Sequence, residues 1–326
     1  MITMAEIARM TGVSQPTVSR ALNGNPTVSP EIREKVLACA KEHDYQPNAL
    51  ALGMKGNKTK LLGVLMKDLS NGFFADLAKC IESEATRLGY SIILFNSDHR
   101  SERQQQCIDV LKRYKVDGLL AVPIWVDDPE WIDHVNRLKV PTVVLTVRSQ
   151  NMDSVYLDHE SAGQLVAKHL VQQGYTKFLF VGDPLGTKYL GFAEALQECG
   201  VKENKYECLP YTNEKNLRQK MQEIIAAGER AGIFTANDIF GAQVLRVLYE
   251  MNVSVPAHAG VVGFDDTLTA RWLTPSLSSV RQPLEIMAQV AVQQLVNRID
   301  GKAEDAYIDF AYEAELIERE SSVVQK

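Results

Sequence analysis

Cysteine is sparse. There are five in 326 residues, at Cys39, Cys80, Cys107, Cys199 and Cys208, odd in number and without a CxxC pair. Such spacing argues against a disulfide framework or a zinc site and fits a reducing compartment. Long apolar runs are absent as well. None approaches the roughly 18 residues that a membrane-spanning helix needs, so no membrane partner is expected. The opening MITMAEIARM carries Glu6 and Arg9 where a secretory core would be unbroken and apolar, so no export signal is read and a cytoplasmic location is predicted. Catalytic signatures are also missing: no GxGxxG after a strand, no GxxxxGK[ST], no GxSxG and no HExxH. The six histidines fall at no ligand spacing, and His159 beside Glu160 reads as a surface pair at a helix start. No catalytic residue, metal or cofactor is therefore assigned. Basic charge is in deficit too, the whole chain carrying a net charge of -6.

That deficit hides an asymmetry. Residues 1–60 hold eight basic and five acidic side chains, a net of +3, whereas the remainder carries -9. A small basic head on a large acidic body is the pattern expected if only the head meets a polyanion. The length suits two or three domains of roughly 100 to 200 residues, each able to bury a core. With 45% hydrophobic and 23% charged residues, composition suggests an ordinary folded protein rather than a disordered one.

The head reads as three short helices. Thr3 with Glu6 makes a capping box, followed by Ile7, Ala8 and Met10 on one face, and Gly12 is placed to end that helix. Ser14 can cap a second helix with Pro16 in its first turn and Val18, Ala21 and Leu22 turned inward; Asn23 and Gly24 stop it. Ser29 and Pro30 open a third, in which Ile32, Val36, Leu37 and Ala40 recur at helical spacing. From Leu61 the pattern changes to apolar runs alternating with helix-length segments: LLGVLM, SIILF, GLLAV and TVVLT, then FLFVG, a strand near 206–211, AGIFT and GVVGF. These are successive βαβ units, in two wound halves with a cleft between them.

The string TMAEIARMTGVSQPTVSRALNG, with VSPEIREKVLACAKEHDYQPNALAL after it, resembles the head of the lactose-repressor/galactose-repressor (LacI/GalR) family of bacterial regulators. NGFFADL, VDGLL, HLVQQGY, FTANDIFGAQVLRVL, VPAHAGVVGFDD, TPSLSSVRQP and ELIERESS continue the resemblance along most of the chain. It implies an N-terminal all-α helix-turn-helix head plus an α/β core of two doubly wound parallel-sheet lobes, like the periplasmic binding proteins. The expected division is a DNA-binding domain at 1–45, a hinge helix and linker at 46–60, and an effector-binding and dimerisation core at 61–326. Within the core, lobe one is expected at about 61–158 and 284–326 and lobe two at about 159–283.

In such a unit the second helix lies in the major groove. Gln15 suits adenine, Arg20 suits guanine, and Pro16 can offer apolar contact to a thymine methyl. Thr17, Ser19 and Asn23 are better suited to phosphates. The resemblance makes PNALALGMKGNKTK a hinge that folds on operator DNA, with Met54 as the minor-groove wedge and Lys55 at a phosphate. Leu52 and Gly53 depart from the polar residues usual there, and glycine in a helix costs roughly 1 kcal/mol relative to alanine.

For the core, the resemblance places a small effector between the lobes at the carboxyl ends of the strands. Asn71, Phe73, Phe74, Tyr211, Asn237, Asp265 and Gln282 are the candidate contacts, with Asp265 orienting hydroxyls. Thr146 stands where an aspartate is common and Lys188 where an arginine is common, in a loop from Gly182 to Gly191 that looks short. A pocket that loses an acid and keeps a cation favours a phosphate- or carboxylate-bearing ligand. The expected protein is thus a repressor of carbohydrate-utilisation genes, a homodimer on pseudopalindromic double-stranded operator DNA, controlled by a carbohydrate-type effector. No heptad fits in the VVQK that follows ELIERESS, so a tetramer-forming coiled coil is not expected. The alternative is an enzyme acting on a small carbohydrate with a fused DNA-binding head.

Overall fold

The computed structural model describes residues 2–22, 24–45, 58–210 and 214–324. The chain divides into two compact units, Met1–Thr59 and Lys60–Lys326.

In the first unit α1 spans Met4–Thr11, α2 Gln15–Leu22 and α3 Pro30–Glu42. The Thr3 hydroxyl accepts from the Glu6 N–H at 3.3 Å while the Glu6 carboxylate accepts from the Thr3 N–H at 2.7 Å. Two orphan donors are satisfied by one box. Gly12 ends α1 at φ 71, a left-handed conformation that suits glycine. Ser29 caps α3, with Pro30 in its first turn. Ile7, Val18, Ala21, Val28, Val36 and Ala40 form the core. Burying a side chain the size of Val18 contributes about 1.5–3 kcal/mol, a large share of the stability of so small a unit. Met10 and Leu37, expected on inward faces, are instead 57% and 45% exposed, because a three-helix core this small has room only for the central residue of each stripe.

The second unit begins with β1 (Leu61–Met66), α4 (Gly72–Arg87), β2 (Ser91–Asn96), α5 (Ser101–Tyr114), β3 (Gly118–Ala121), α6 (Pro129–Leu138), β4 (Thr142–Leu145) and β5 (Asp153–Leu157). It continues through α7 (His159–Gln172), β6 (Lys177–Val181), α8 (Thr187–Glu198), β7 (Tyr206–Leu209), α9 (Glu214–Ala226), β8 (Ala231–Thr235), α10 (Asp238–Glu250), β9 (Ala259–Asp265), α11 (Leu268–Trp272) and β10 (Ser278–Arg281). Last come α12 (Leu284–Ile299), β11 (Asp309–Tyr312) and β12 (Glu315–Ile317).

Two six-stranded sheets result, ordered β11-β5-β4-β3-β1-β2 and β12-β10-β9-β8-β6-β7. Among the described residues every strand pairing is parallel except that of β12 with β10. Strands of such sheets are covered on both faces, which is why β9 is buried at every residue. Along β1, Leu62, Val64 and Met66 face the helices α4 and α12, and Leu65 faces the layer with Trp131 and Val135. The two-residue period of a strand divides one apolar run between two cores.

The chain passes between the lobes after β5, after β10 and after β11. The last passage corrects the expected division of the core: residues 284–312 belong to lobe one, but 315–324 belong to lobe two. The physical reason is hydrogen bonding. β12 completes the edge of the second sheet, and the tail behind it is stitched down where the Ser321 hydroxyl donates to the Val261 carbonyl at 2.6 Å and Val261 N–H donates to the Ser321 carbonyl at 2.8 Å. The His169 ring meets the Ser322 hydroxyl at 2.8 Å and Glu318 at 3.5 Å. This Ser–His–Glu arrangement outwardly resembles a hydrolytic triad, but Ser322 is completely buried and its hydroxyl is bonded to that of Ser278. It serves to fasten the tail.

Candidate nucleic-acid interface and interlobe site

In the first unit, Gln15, Pro16 and Arg20 are all exposed at α2, around the buried anchor Val18. For Pro16 and Arg20 this follows from helical spacing, since positions two residues to either side of Val18 point nearly opposite to it; Gln15 is exposed as the first residue of the helix. Thr17 has a local duty. Its N–H donates to the Ser14 hydroxyl at 3.3 Å and the two hydroxyls meet at 2.8 Å, so the pair closes the start of α2. Ser19 is half-buried. Asn23, Leu52, Gly53, Met54 and Lys55 lie outside the described residues, as does Tyr211.

The interlobe site is built from strand ends. Asp265, the last residue of β9, is buried, and both its carboxylate oxygens accept hydrogen bonds: one from Gln282 Nε2 at 2.7 Å, the other from Asn71 Nδ2 at 3.3 Å. Asn71 belongs to lobe one and caps α4 through the Phe73 N–H at 3.1 Å, while Gln282 lies on a passage between the lobes. Asp265 therefore ties the two lobes and a crossing strand together. Its backbone is strained, with φ 105, and Asp266 follows at φ 48. Non-glycine residues in such regions cost about 1–3 kcal/mol each and persist where the surroundings hold them. Here Asp266 N–H donates to Ser279 Oγ at 2.9 Å, and its carboxylate is held by Arg281 at 2.8 Å, Arg271 at 3.4 Å and Arg319.

Lys188 comes from the first turn of α8. Its ammonium donates to the Ala236 carbonyl at 2.8 Å and sits 3.3 Å over the Phe264 ring. Two glycines place it there. A Cβ on Gly163 would lie 2.2 Å from the Lys188 carbonyl oxygen, and one on Gly191 2.0 Å from the Glu160 carbonyl oxygen. Only glycine at both positions lets α7 and α8 touch backbone to backbone. The same contact brings His159, at the start of α7, edge-on to the Phe264 ring at 5.3 Å. His159 was expected at the surface beside Glu160; it is half-buried and faces the cleft, because the helix start is packed against a neighbouring strand end.

Charge in the site is closely coupled. Burial pushes the Asp265 carboxyl up, against the pull of Lys188, Gln282, Asn71 and Lys67. Burial brings the Lys188 ammonium down to about 8; Asp265 opposes the shift and the positive charge of Lys67 adds to it. Lys67, immediately after β1, is lowered by burial and supported by Asp265 and Asp68. His159 is pushed well below its ordinary value by burial, then by Lys188 and Lys67, so its ring is neutral at pH 7. Asp238 is raised to about 7 by burial and by the nearby Asp265, despite bonds from Ser279 and from the Thr267 N–H and hydroxyl.

Among the residues expected at the site, Asn71, Lys188, Asp265 and Gln282 come together. Thr146 directly follows β4 in lobe one, buried, at φ 68. Its hydroxyl and the Gln282 side-chain carbonyl are buried without a hydrogen-bond partner among the described residues. Phe73 and Phe74 do not form an open aromatic platform. They are 2% and 7% exposed, packed edge to face in the core of lobe one, because they start the inward stripe of α4. Asn237 spends its carboxamide oxygen capping α10 through the Phe240 N–H at 2.9 Å. Lys67, His159 and Asp238 were missed. For Lys67 the signal was present, since a lysine directly after an apolar strand stands at the carboxyl edge where ligands bind. No group of metal-ligating side chains occurs among the described residues. No described helix is long and apolar enough to cross a membrane.

A helix-turn-helix unit joined to two parallel-sheet lobes, with buried polar groups where the strand ends converge, defines a DNA-binding regulator with a ligand-binding core. Residues 3–48 match the bacterial regulatory proteins of the lacI family, and residues 167–322 match the periplasmic binding protein-like domain. An HTH-type transcriptional regulator, RegA of Clostridium saccharobutylicum, is 31% identical over 98% of this chain and 98% of its own. The lac repressor dimer bound to operator and the anti-inducer ONPF superimposes with a TM-score of 0.83, at 26% identity over 99% of both chains. A periplasmic binding protein/LacI transcriptional regulator from Alkaliphilus metalliredigens complexed with D-xylulofuranose gives 0.70, at 25% identity over 81% of this chain and all of that one. The chain belongs to the lacI family of bacterial transcriptional regulators.

Proposed function

We propose that the protein is a sequence-specific repressor of carbohydrate-utilisation genes that binds a pseudopalindromic operator as a homodimer and is controlled by a sugar-type effector held between its lobes. One observation carries the effector half of this reading: Asp265 links Asn71 of one lobe to Gln282 of a crossing strand, and the Gln282 and Thr146 oxygens beside the strand ends are buried and unpartnered. A buried oxygen without a partner costs about 1–3 kcal/mol, which a bound hydroxyl would recover. A ligand touching both lobes favours one relative orientation of them, and this is how it would bias DNA binding. The finer reading is that the effector carries phosphate or carboxylate, facing Lys188. The operator and sugar ligands of the structural relatives support the proposal by kinship.

Two measurements test it. Selection of random duplexes on the purified chain should return a pseudopalindrome, bound with a steep dependence on salt as phosphate contacts release counterions. Thermal unfolding in the presence of sugars, sugar acids and sugar phosphates should single out a stabilising group, since a ligand at a hundredfold excess over Kd adds about 2.7 kcal/mol. Failure to prefer any duplex would overturn the DNA half, and failure of every sugar class to stabilise the fold would overturn the effector half.

A further inference from the structure

The turn between α2 and α3 is fastened from both sides, and Asn25 stands at its centre. Its N–H donates to the Arg20 carbonyl at 2.9 Å, closing the end of α2, and its carbonyl accepts from the Val28 N–H at 3.2 Å. The Arg33 guanidinium reaches back from α3 and donates to that same carbonyl at 2.7 Å. The Asn25 carboxamide oxygen accepts from the Thr27 N–H at 3.0 Å and from the Thr27 hydroxyl at 2.7 Å. A backbone N–H can only donate, so the oxygen is the atom turned toward Thr27 and Nδ2 points the other way. Among the described residues Nδ2 has no hydrogen-bond partner, and it is the one polar group of Asn25 left unengaged. Arg33 holds its place although its Nε–H is buried without an acceptor, which is unfavourable in itself.

With eight residues α2 is about 12 Å long, close to the roughly 12 Å width of a major groove. When its first turn meets base edges, the residues just past its last turn stand at the sugar–phosphate wall. Thr27 is exposed there, but its hydroxyl proton is already engaged by Asn25. Asn25 Nδ2 offers two protons. We infer that Asn25 donates from Nδ2 to a phosphate of the operator backbone, and that Arg33 is the positioning residue that holds Asn25 in place for it. This rests on α2 being the helix that enters the groove, and it adds Asn25 and Arg33 to the residues expected to govern DNA binding. Such a contact fixes the register of the head on the duplex without reading sequence.

The test uses the full chain at constant ionic strength in competition titrations with two duplexes of equal length, the one recovered by selection on the wild-type protein and one of random sequence. Asn25→Ala should weaken binding to both by about tenfold, since each of two heads loses one charge-assisted bond, and should leave the selected-to-random ratio within about twofold. Asn25→Asp keeps an oxygen for Thr27, and with it the turn, but presents a carboxylate to the phosphate, so it should lose more than Asn25→Ala. Arg33→Met should weaken both duplexes alike, and Arg33→Lys, which can still donate to the Asn25 carbonyl, should recover most of that loss. Added to Asn25→Ala, Arg33→Met should cost less than about threefold more, because it acts through Asn25. If Asn25→Ala binds both duplexes within about twofold of wild type, the turn touches no phosphate and the inference is wrong. If it shifts the selected-to-random ratio by more than about twofold, Asn25 reads a base and the phosphate assignment is wrong. If Arg33→Met costs the same with and without Asn25→Ala, the positioning role of Arg33 falls. If the wild type prefers no duplex, the reading of α2 as the helix in the groove falls and takes this contact with it.

Discussion

The head and the interlobe site handle polar chemistry in opposite ways. On α2 the proposed base readers Gln15 and Arg20 are exposed single side chains on a helix anchored by one buried valine. At Asp265 the polar groups are buried, bonded to one another and electrostatically coupled. A solvated reader can be lost without disturbing its neighbours; a buried one leaves its partners unsatisfied. A site on one helix is decided locally, and a site at converging strand ends is decided by everything that makes the strands converge.

The largest effect should come from the coupled site. Asp265→Ala should weaken binding of the stabilising sugar by about a hundredfold or more, since it strands the Asn71 and Gln282 amides and removes the largest favourable charge on Lys188. Titration calorimetry checks this, and a loss under about fivefold would show the site to be as loosely coupled as the head. Arg20→Ala, the matching change at the solvated site, should lower the preference for operator over random duplex by about 1–3 kcal/mol. An unchanged ratio in competition binding would mean that Arg20 positions the head without reading bases.

Gly191→Ala sharpens the contrast in stability. Its new methyl meets the Glu160 carbonyl, so α7 and α8 must separate, and the expected loss is about 1–3 kcal/mol, read as a fall of several degrees in the unfolding of the core. The same separation would displace Lys188, so sugar binding should fall in parallel.

The pH response should belong to the core. Lys188 has its ammonium lowered to about 8 and is faced by Asp265, Lys67, Asp238 and the neutral His159. Its folded value lies below its unfolded one. Holding it protonated therefore opposes folding below about pH 8, and that opposition is relieved as pH rises from 8 toward the ordinary lysine range. A bound anion favours the protonated form, so affinity for a charged sugar should decline above pH 8 by up to about tenfold per unit, while a neutral sugar's should not. The smallest effect is expected at the head, where Thr3→Ala removes half of a capping box and should cost about 1 kcal/mol in the unfolding of that unit.

Much of the head was readable in advance because its signals are local. Thr3 with Glu6, Gly12, and Ser29 with Pro30 act within one turn of their own positions, and each is found doing what its residue type favours. Seven strands were readable from apolar runs, and β7 from its place in the alternation. The strands β5, β10, β11 and β12 were not, since polar-bearing segments such as DSVYL and SSVR owe their pairing to neighbours already in place. The serines of β10 are polar in composition yet fully buried at Ser278 and Ser279, because the tail and Asp238 supply their partners.

Motifs legible in the sequence by themselves picked out Asn71, Lys188, Asp265 and Gln282 as candidates, which the fold brings together, and helical spacing set Pro16 and Arg20 away from the buried Val18. Only the tertiary structure decided that Phe73 and Phe74 belong to the core, that His159 packs against Phe264, and that Lys67 lies half-buried over the Phe74 ring within electrostatic reach of Asp265. It also decided that the tail after Tyr312 belongs to the second lobe. Periodicity and capping act over a few residues, so a linear sequence displays them. Burial of a titratable group, its neighbours' charges and the edge to which a short strand adds depend on segments more than a hundred residues apart, and those meet only once both sheets are built.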